Sequence, residues 1–524
     1  MLPKTADVGG REMSEVAPRE HFDVVVVGGG AAGLAAAIEA RTLGRDVLLL
    51  EKNPRLGGST ALSVGSISAS ATPHQNRKGI KDSPQEHWAD MPLFAGDLQP
   101  RDNDELRRIF CESMPETFCW LLSLGVRFYG PMPEPPHRKP RMHNVLPNSK
   151  AYIYQLERHA RRLGVDIRTD MRAALLLVED ERVVGVECES AAGTRRFLAV
   201  GGTILATGDF TANAAFKHQY MGPRAAKVEA VNATATGDGQ ALALKLGATV
   251  INGDLALGPE IRFVAPTRQT LVLRMPPWRA LAIFIEWSMD HLPQRLLRPF
   301  VMSFLTTALA PSPVLFEQGA ILVNKDGERF CDELDQPALA IPEQPDKTAY
   351  ILIDQRLASC FSAWPYFVST APGVAYAYIP DYRRNRPDVF HRAPSLEALA
   401  GKLGMQAGRL ARAIMDHNRA LGEAAATRGE GVLGRAPLTE PPYVALGPVR
   451  SFFVHSEGGL AVDLEHRVLG ADGAPIAGLY AAGSTGQGGL LLKGHGHHIA
   501  WAFSSGRRAG RIAALDVTSS DIAD

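Results

Sequence analysis

The stretch FDVVVVGGGAAGLAAAIEARTLGRDVLLLEKN, residues 22–53, constrains this chain more than any other. Val24–Val27 is a short apolar run, suited to a strand buried on both faces of a parallel sheet. Gly28-x-Gly30-x-x-Gly33 follows at once, and an Ala/Leu-rich helical run comes next. A second strand, Asp46–Leu50, ends on Glu51. The three glycines do different things. Gly28 permits the tight turn, Gly30 lets the backbone approach a pyrophosphate, and Gly33 lets helix and strand pack closely. The helix N-terminus, Ala32 included, offers N–H donors and the positive end of its dipole to phosphates. Glu51 stands at the distance that suits ribose hydroxyls. The competing reading is an α/β turn without a nucleotide. The complete order of strand, glycines, helix, strand and acid argues against it.

The rest of the composition mainly excludes. Lys+Arg and Asp+Glu both number 56, so no net charge attracts nucleic acid. Cys111, Cys119, Cys188, Cys331 and Cys360 show no CxxC spacing, which suits a reduced, cytoplasmic protein. Residues 1–20 are polar and read as a disordered leader without a secretory apolar core. No run reaches the ~18 uncharged apolar residues of a membrane span. No second GxGxxG unit is present, so no separate NAD domain is expected.

The segment EKNPRLGGSTALSVGSISAS, residues 51–70, decides between nucleotides. It resembles the flavoproteins of the fumarate reductase and succinate dehydrogenase superfamily. The resemblance implies FAD, with Lys52, Gly58, Ser59, Thr60 and Gly65 near it. Ser59 stands about where respiratory members carry the histidine that binds FAD covalently, so non-covalent FAD is expected. Further marks follow in family order. The backbone near Ala173 is implied at the adenine. Ala206-Thr207-Gly208 closes over the dinucleotide, and Asp209 departs from the usual glycine. Asp238, in TATGDGQ, is either a nucleotide-side acid or a helix N-cap. GAILVNKDGERFCDE belongs with the substrate-covering domain, and PSLEALAGKLGMQAGRLARAIMDHN reads as amphipathic helix of the same domain. APIAGLYAAGS brings Gly483 and Ser484 back to the flavin phosphates. From Pro441 onward the chain most resembles 3-ketosteroid dehydrogenases.

The expected fold is α/β: a Rossmann-like FAD-binding domain, with parallel sheet, helices and a β-meander, interrupted by an α+β substrate-capping domain. Its boundaries are read as 21–254 for the first FAD part, with a helical insertion at about 81–150, 255–445 for the cap, 446–515 for the second FAD part, and 516–524 for a tail.

The resemblance also says what is missing. Pro337 stands about where fumarate reductases hold an arginine acid. His455 falls at their substrate-binding histidine, and Lys493 near their clamping arginine, so one cation remains of a dicarboxylate clamp. Against the ketosteroid enzymes, Gly494 and Gly496 are kept but Leu492 replaces the carbonyl-polarising tyrosine. A tyrosine base is implied from the cap, where Tyr366, Tyr376, Tyr378 and Tyr382 are open choices. The apolar segment 255–313 shows helix-like spacing at Trp278, Leu281 and Ile285. It reads as cap core, as a wall for a bulky apolar substrate, or as a peripheral membrane contact.

These readings converge on an FAD-dependent enzyme of the CH–CH group. The expected reaction is α,β-desaturation of a bulky cyclic ketone, ketosteroid- or terpenoid-like, with an ene-reductase as the reverse case. The expected partners are the small apolar carbonyl substrate and a diffusible electron carrier such as a quinone. A non-catalytic flavin or metal protein is the alternative of another class. The sharpest local question is GLLLKGHGHHIAWAFSSG, residues 489–506. His495-x-His497-His498 has no cysteine or carboxylate close in sequence to complete a metal shell, so no metal is expected. The resemblance puts Gly496, His498 and Ile499 beside the flavin, at a helix N-terminus that disfavours cationic imidazoles. Lys493 and His495 are expected to polarise the substrate carbonyl, and neutral His497 to donate or relay a proton.

Overall fold

The computed structural model describes residues 19–266, 274–293, 297–298, 302–303, 306, 309–371, 375–428 and 435–517. Most of the expected leader and tail, and parts of the apolar segment 255–313, lie outside these residues.

Eight strands form the first sheet. Its central order is Arg467–Leu469, Pro475–Ala481, Gly193–Leu205, Arg19–Val27, Val47–Leu50 and Asp166–Arg168. The last five of these run parallel to one another. Val24–Val26 and Leu48–Leu50 are fully buried, as their unbroken apolar character requires. The antiparallel hairpin Arg172–Glu179 and Arg182–Ser190 attaches through Gly193–Leu205 and supplies the expected meander. The chain leaves the first strand toward Val47–Leu50 and later returns on its other side with Gly193–Leu205. The ends of those two flanking strands therefore open a crevice at a switch point, where α/β sheets bind ligands.

Two helices cover this crevice. Ala31–Thr42 packs on the last helix, His497–Leu515, through small residues. A Cβ on Gly506 would lie 2.3 Å from the Ala32 carbonyl oxygen, and one on Gly510 2.2 Å from that of Ala36. This close approach holds the N-terminus of the last helix against the glycine turn.

The segment 81–150 is only partly helical. Pro84–Asp90 and Asp104–Ser123 are helices. Met142–Leu146 pairs with Ser66–Ser68 on one side and with Arg127–Met132 on the other, so this insertion completes a sheet behind the GGST loop.

The second sheet forms the cap. Its spine is Tyr443–Phe453, which pairs with Glu229–Ala230, Glu260–Phe263, Ala349–Ile353 and Phe390–Ala393. That spine crosses the expected boundary at 445/446, and the chain rejoins the flavin side after Phe453. The expected amphipathic helix is two helices, Leu396–Leu403 and Ala407–Arg428, divided by Gly404 in the left-handed region. In the apolar segment the helix is Arg279–His291. Trp278 precedes it and is exposed rather than packed with Leu281 and Ile285.

Candidate active site

The glycine turn has the shape the sequence demands. Gly28 has φ +111°, and a Cβ there would lie 2.3 Å from the Ala206 carbonyl oxygen. A Cβ on Gly33 would lie 1.8 Å from the Gly28 oxygen. Gly30 differs. Its nearest neighbours would be the Gly57 oxygen at 3.9 Å and Thr60 Oγ1 at 4.0 Å, so protein leaves the space above it free. The helix starting at Ala31 has no side-chain cap, and its first-turn donors face that space. The arrangement fits a pyrophosphate. Gly30→Ala is therefore expected to fold, because its φ of −83° suits alanine. It should hold FAD roughly ten- to a hundredfold more weakly, the scale of a 1–3 kcal/mol overpacking cost. Flavin retained through gel filtration, compared at matched circular dichroism, measures this; full retention would refute it.

The other nucleotide-side residues gather around the turn. Glu51 Oε2 accepts from the Gly29 N–H at 2.8 Å, and Oε1 accepts from the Asn53 backbone and side chain at 2.9 and 2.7 Å. A carboxylate has about four acceptor positions, so Oε2 keeps one for a ribose hydroxyl. Lys52 Nζ donates to Asp238 Oδ2 at 2.8 Å. The N-cap of that helix is Gly237, and Asp238 stands in its first turn, paired with Lys52. Ser59 accepts from Asn232, and Thr60 accepts from the Ala31 N–H. Gly58 and Gly65 take positive φ at the ends of the GGST loop. Thr207 Oγ1 accepts from the Gly239 N–H at 3.0 Å and meets Thr485 Oγ1 at 3.2 Å. Thr485 also donates to the Gly208 oxygen. Gly483 packs on Ala32, Ser484 is half-buried beside it, and Ile499 is half-buried in the first turn of the last helix. Ala173 is buried on the hairpin opposite Cys188. Asp209, the departure from glycine, is buried and accepts from the N–H and hydroxyl of Thr211. Burial raises its pKa, and His498 nearby counters this.

The next cluster forms around Glu457, a residue without a recognisable motif of its own. It is buried and belongs to the HSEGG segment. Its Oε2 accepts from the Leu492 N–H at 3.0 Å and Gln487 Nε2 at 2.8 Å. Its Oε1 lies 3.4 Å from His498 Nε2 and 3.7 Å from Lys493 Nζ. Burial alone would raise its pKa, but the contacts with His498 and Lys493 outweigh burial and hold the carboxyl far below the usual range. The His455 and His498 rings lie 3.6 Å apart, and burial keeps His455 neutral. His455 and Glu457 alternate in sequence, but nothing there showed that Lys493 and His498 would close on them.

The third cluster is also tertiary. His87 Nε2 and His137 Nε2 each lie 3.3 Å from His497 Nε2. Arg141 Nη1 donates to His137 Nδ1 at 3.0 Å, so the neutral His137 ring carries its proton on Nε2 and donates to His497. His497 Nδ1 donates to the Lys493 oxygen at 2.5 Å. Burial lowers all three pKa values, that of His137 to about 2. His137 thus takes the His497 Nε2 lone pair, and His87 Nε2 stands 3.3 Å from the same atom, so three neutral imidazoles converge under the last helix. His87, His137 and Arg141 carried no sequence signal.

The remaining expectations separate. His495 is turned to Glu134: its Nδ1 lies 2.6 Å from Oε1, its backbone N–H donates to the same oxygen, and the contact raises its pKa. Tyr376 packs on Trp364 and Phe367. Tyr378 starts the helix Ile379–Asn385, its N–H donating to Asp381. Tyr382 is buried against Phe263 and Ser369, and Tyr366 packs on Phe361. Among the described residues, no hydrogen bond or ring contact joins Tyr376 or Tyr378 to Lys493, His495 or His497.

Known proteins are similar to this chain in sequence and fold. The family described as FAD binding domain matches residues 23–261 and 301–491. A relative from Shewanella frigidimarina, named as the probable fumarate reductase Ifc3, is 28% identical over 513 residues, covering 95% of this chain and 75% of that protein. The open conformation of a flavocytochrome c3 fumarate reductase aligns with TM-score 0.70 and 26% identity, over 95% of this chain and 79% of the other. A 3-ketosteroid-Δ4-(5α)-dehydrogenase from Rhodococcus jostii RHA1, in complex with 4-androstene-3,17-dione, aligns with TM-score 0.58 and 25% identity, over 95% of this chain and all of the other.

Proposed function

The chain belongs to the FAD binding domain family, as an FAD-dependent oxidoreductase of the fumarate reductase family, and we propose that it desaturates the carbon–carbon bond beside the carbonyl of a bulky apolar cyclic ketone. One observation carries the reading. The site offers one ammonium, Lys493, backed by a buried carboxylate and flanked by a neutral imidazole, while Pro337 stands where an acid would be expected. One cation suits one carbonyl. A neutral imidazole suits removal of a proton rather than its delivery.

Bound FAD supplies the acceptor for the hydride. The chain supplies the rest. Lys493 orients the carbonyl and stabilises negative charge on its oxygen as the adjoining proton leaves. Glu457 holds Lys493 in place. His455 takes the proton from the carbon beside the carbonyl. His498, fixed by Glu457, closes the site at the start of the last helix. Electrons leave through a diffusible carrier such as a quinone.

Reduction of an enone or unsaturated carboxylate is the second reading, favoured by the fumarate reductase names of its relatives. Anaerobic mixing separates the two. Oxidised holoenzyme should lose its visible flavin band with saturated cyclic ketones. If only pre-reduced enzyme responds, and only to unsaturated compounds, the second reading holds. Response to small dicarboxylates alone would defeat the proposed substrate class.

A further inference from the structure

The helix Arg279–His291 carries apolar residues on its outward face as well as its inward one. Ile283, Phe284 and Trp287 are 44%, 61% and 50% exposed, and with Ala280 and His291 they form one stripe at helical spacing. Trp278, just before the helix, is 61% exposed, and Leu292, just after it, is 37% exposed. The inward face is mixed: Ala282 and Ser288 are buried, and Leu281, Ile285, Glu286 and Met289 are half-buried. Ser288 is buried with its hydroxyl donating to the Phe284 oxygen, and Glu286 faces His74 and Arg77. Phe284, Trp287 and His291 stack on one another at 6.3 and 5.0 Å, so the outward side chains hold one another in place. Single exposed apolar residues need no explanation, but a continuous aromatic stripe marks an interaction surface.

Charge selects the partner. Arg274 and Arg279 are exposed at the start of the helix. The neighbouring helix Pro73–Arg77 brings exposed Arg77, followed by exposed Lys78 and Lys81. Lys78 lies over the Tyr129 ring of the strand beneath, and Asp290 acts on the same tyrosine. Exposed Arg274 and Arg279 thus stand at the start of the stripe and Lys78 over the strand beneath it, while Arg77 and Glu286 pair with each other and Asp290 is the remaining acid. Aromatic side chains on one helical face with a basic surround are the pattern of a helix lying in an anionic bilayer interface. The family match passes over residues 262–300, the stretch that holds this helix.

We propose that Trp278, Ile283, Phe284 and Trp287 dock the protein onto the surface of an anionic lipid bilayer. Among the described residues no helix is long and apolar enough to cross a membrane, so the contact is peripheral. The inference stands on the surface alone and does not depend on the reaction.

Co-sedimentation of the FAD-loaded, full-length protein with vesicles of equal parts phosphatidylcholine and phosphatidylglycerol tests it. The protein should pellet with these vesicles and far less with phosphatidylcholine alone. Phe284→Ser/Trp287→Ser should partition at least roughly tenfold more weakly at unchanged flavin content. Arg279→Glu should weaken binding to the anionic vesicles only. Brominated acyl chains should quench part of the wild-type tryptophan emission. Failure of the wild type to bind vesicles overturns the proposal. So does a dimer in solution that the double variant dissolves, since a second copy would then cover the stripe.

Discussion

Between pH 6.5 and about 4 the holoprotein is expected to lose most of its stability. Burial holds the imidazoles of His74, His143, His137 and His466 neutral, with pKa values lowered to about 4, 3, 2 and 3. In the unfolded chain each would take up a proton below its ordinary value of 6.5, while the native state would not until its lowered value is reached. Their contribution is therefore complete above pH 6.5 and is lost as pH falls toward those values. Each costs ~1.4 kcal/mol per pH unit in this window, and the four together about 5. Against a total stability of ~5–15 kcal/mol, that unfolds the protein within about three pH units. His495 acts in the opposite sense. Its pKa is raised by Glu134, so its contribution is present at low pH and fades as pH rises through the raised value; the burial-raised carboxyls of Asp102 and Asp209 act in the same sense as His495, and the lowered carboxyl of Glu457 acts with the four imidazoles. Denaturation midpoints at pH 7, 6 and 5 measure the effect. A flat profile would refute it. His466→Leu should reduce the slope by about one proton's worth, and it removes a buried ring whose two nitrogens have no protein partner.

Replacing Lys493 by alanine should lower turnover by about 10²–10³-fold, the usual cost of removing one donor from a developing oxyanion. FAD content should not change, because the nucleotide contacts lie at the glycine turn, Glu51 and Thr207. Lys493→Arg should restore much of the loss, since it keeps a cation beside Glu457. Stopped-flow flavin bleaching, with the saturated cyclic ketone that bleaches the wild type fastest, reads both variants. Bleaching at the wild-type rate in the alanine variant would remove Lys493 from the mechanism and leave it as a counter-ion that keeps Glu457 buried.

Local chemistry made the nucleotide half legible. Gly28, Gly30, Gly33 and Glu51 are set by steric and hydrogen-bonding needs that operate within about twenty residues, and the structure puts them where those needs require. The proposed reacting half was legible only in fragments. Lys493 and His455 were visible through resemblance, but Glu457, which holds them together, was not. His495 shows why adjacency misleads. It sits two residues from His497, yet its imidazole turns to Glu134 while His497 turns inward to His87 and His137.

The helix Arg279–His291 marks the same division from the outside. Its spacing announced an amphipathic helix, but spacing cannot say which face meets the protein. By itself, then, the sequence determined the flavin cradle and the α/β class, because those follow from short-range backbone geometry and residue chemistry. Only the tertiary structure decided which imidazoles are buried and neutral, which carboxylate holds the lysine, and which side of the apolar helix faces out. Those properties depend on desolvation and on contacts between residues up to 410 positions apart, as between His87 and His497, and periodicity does not encode them.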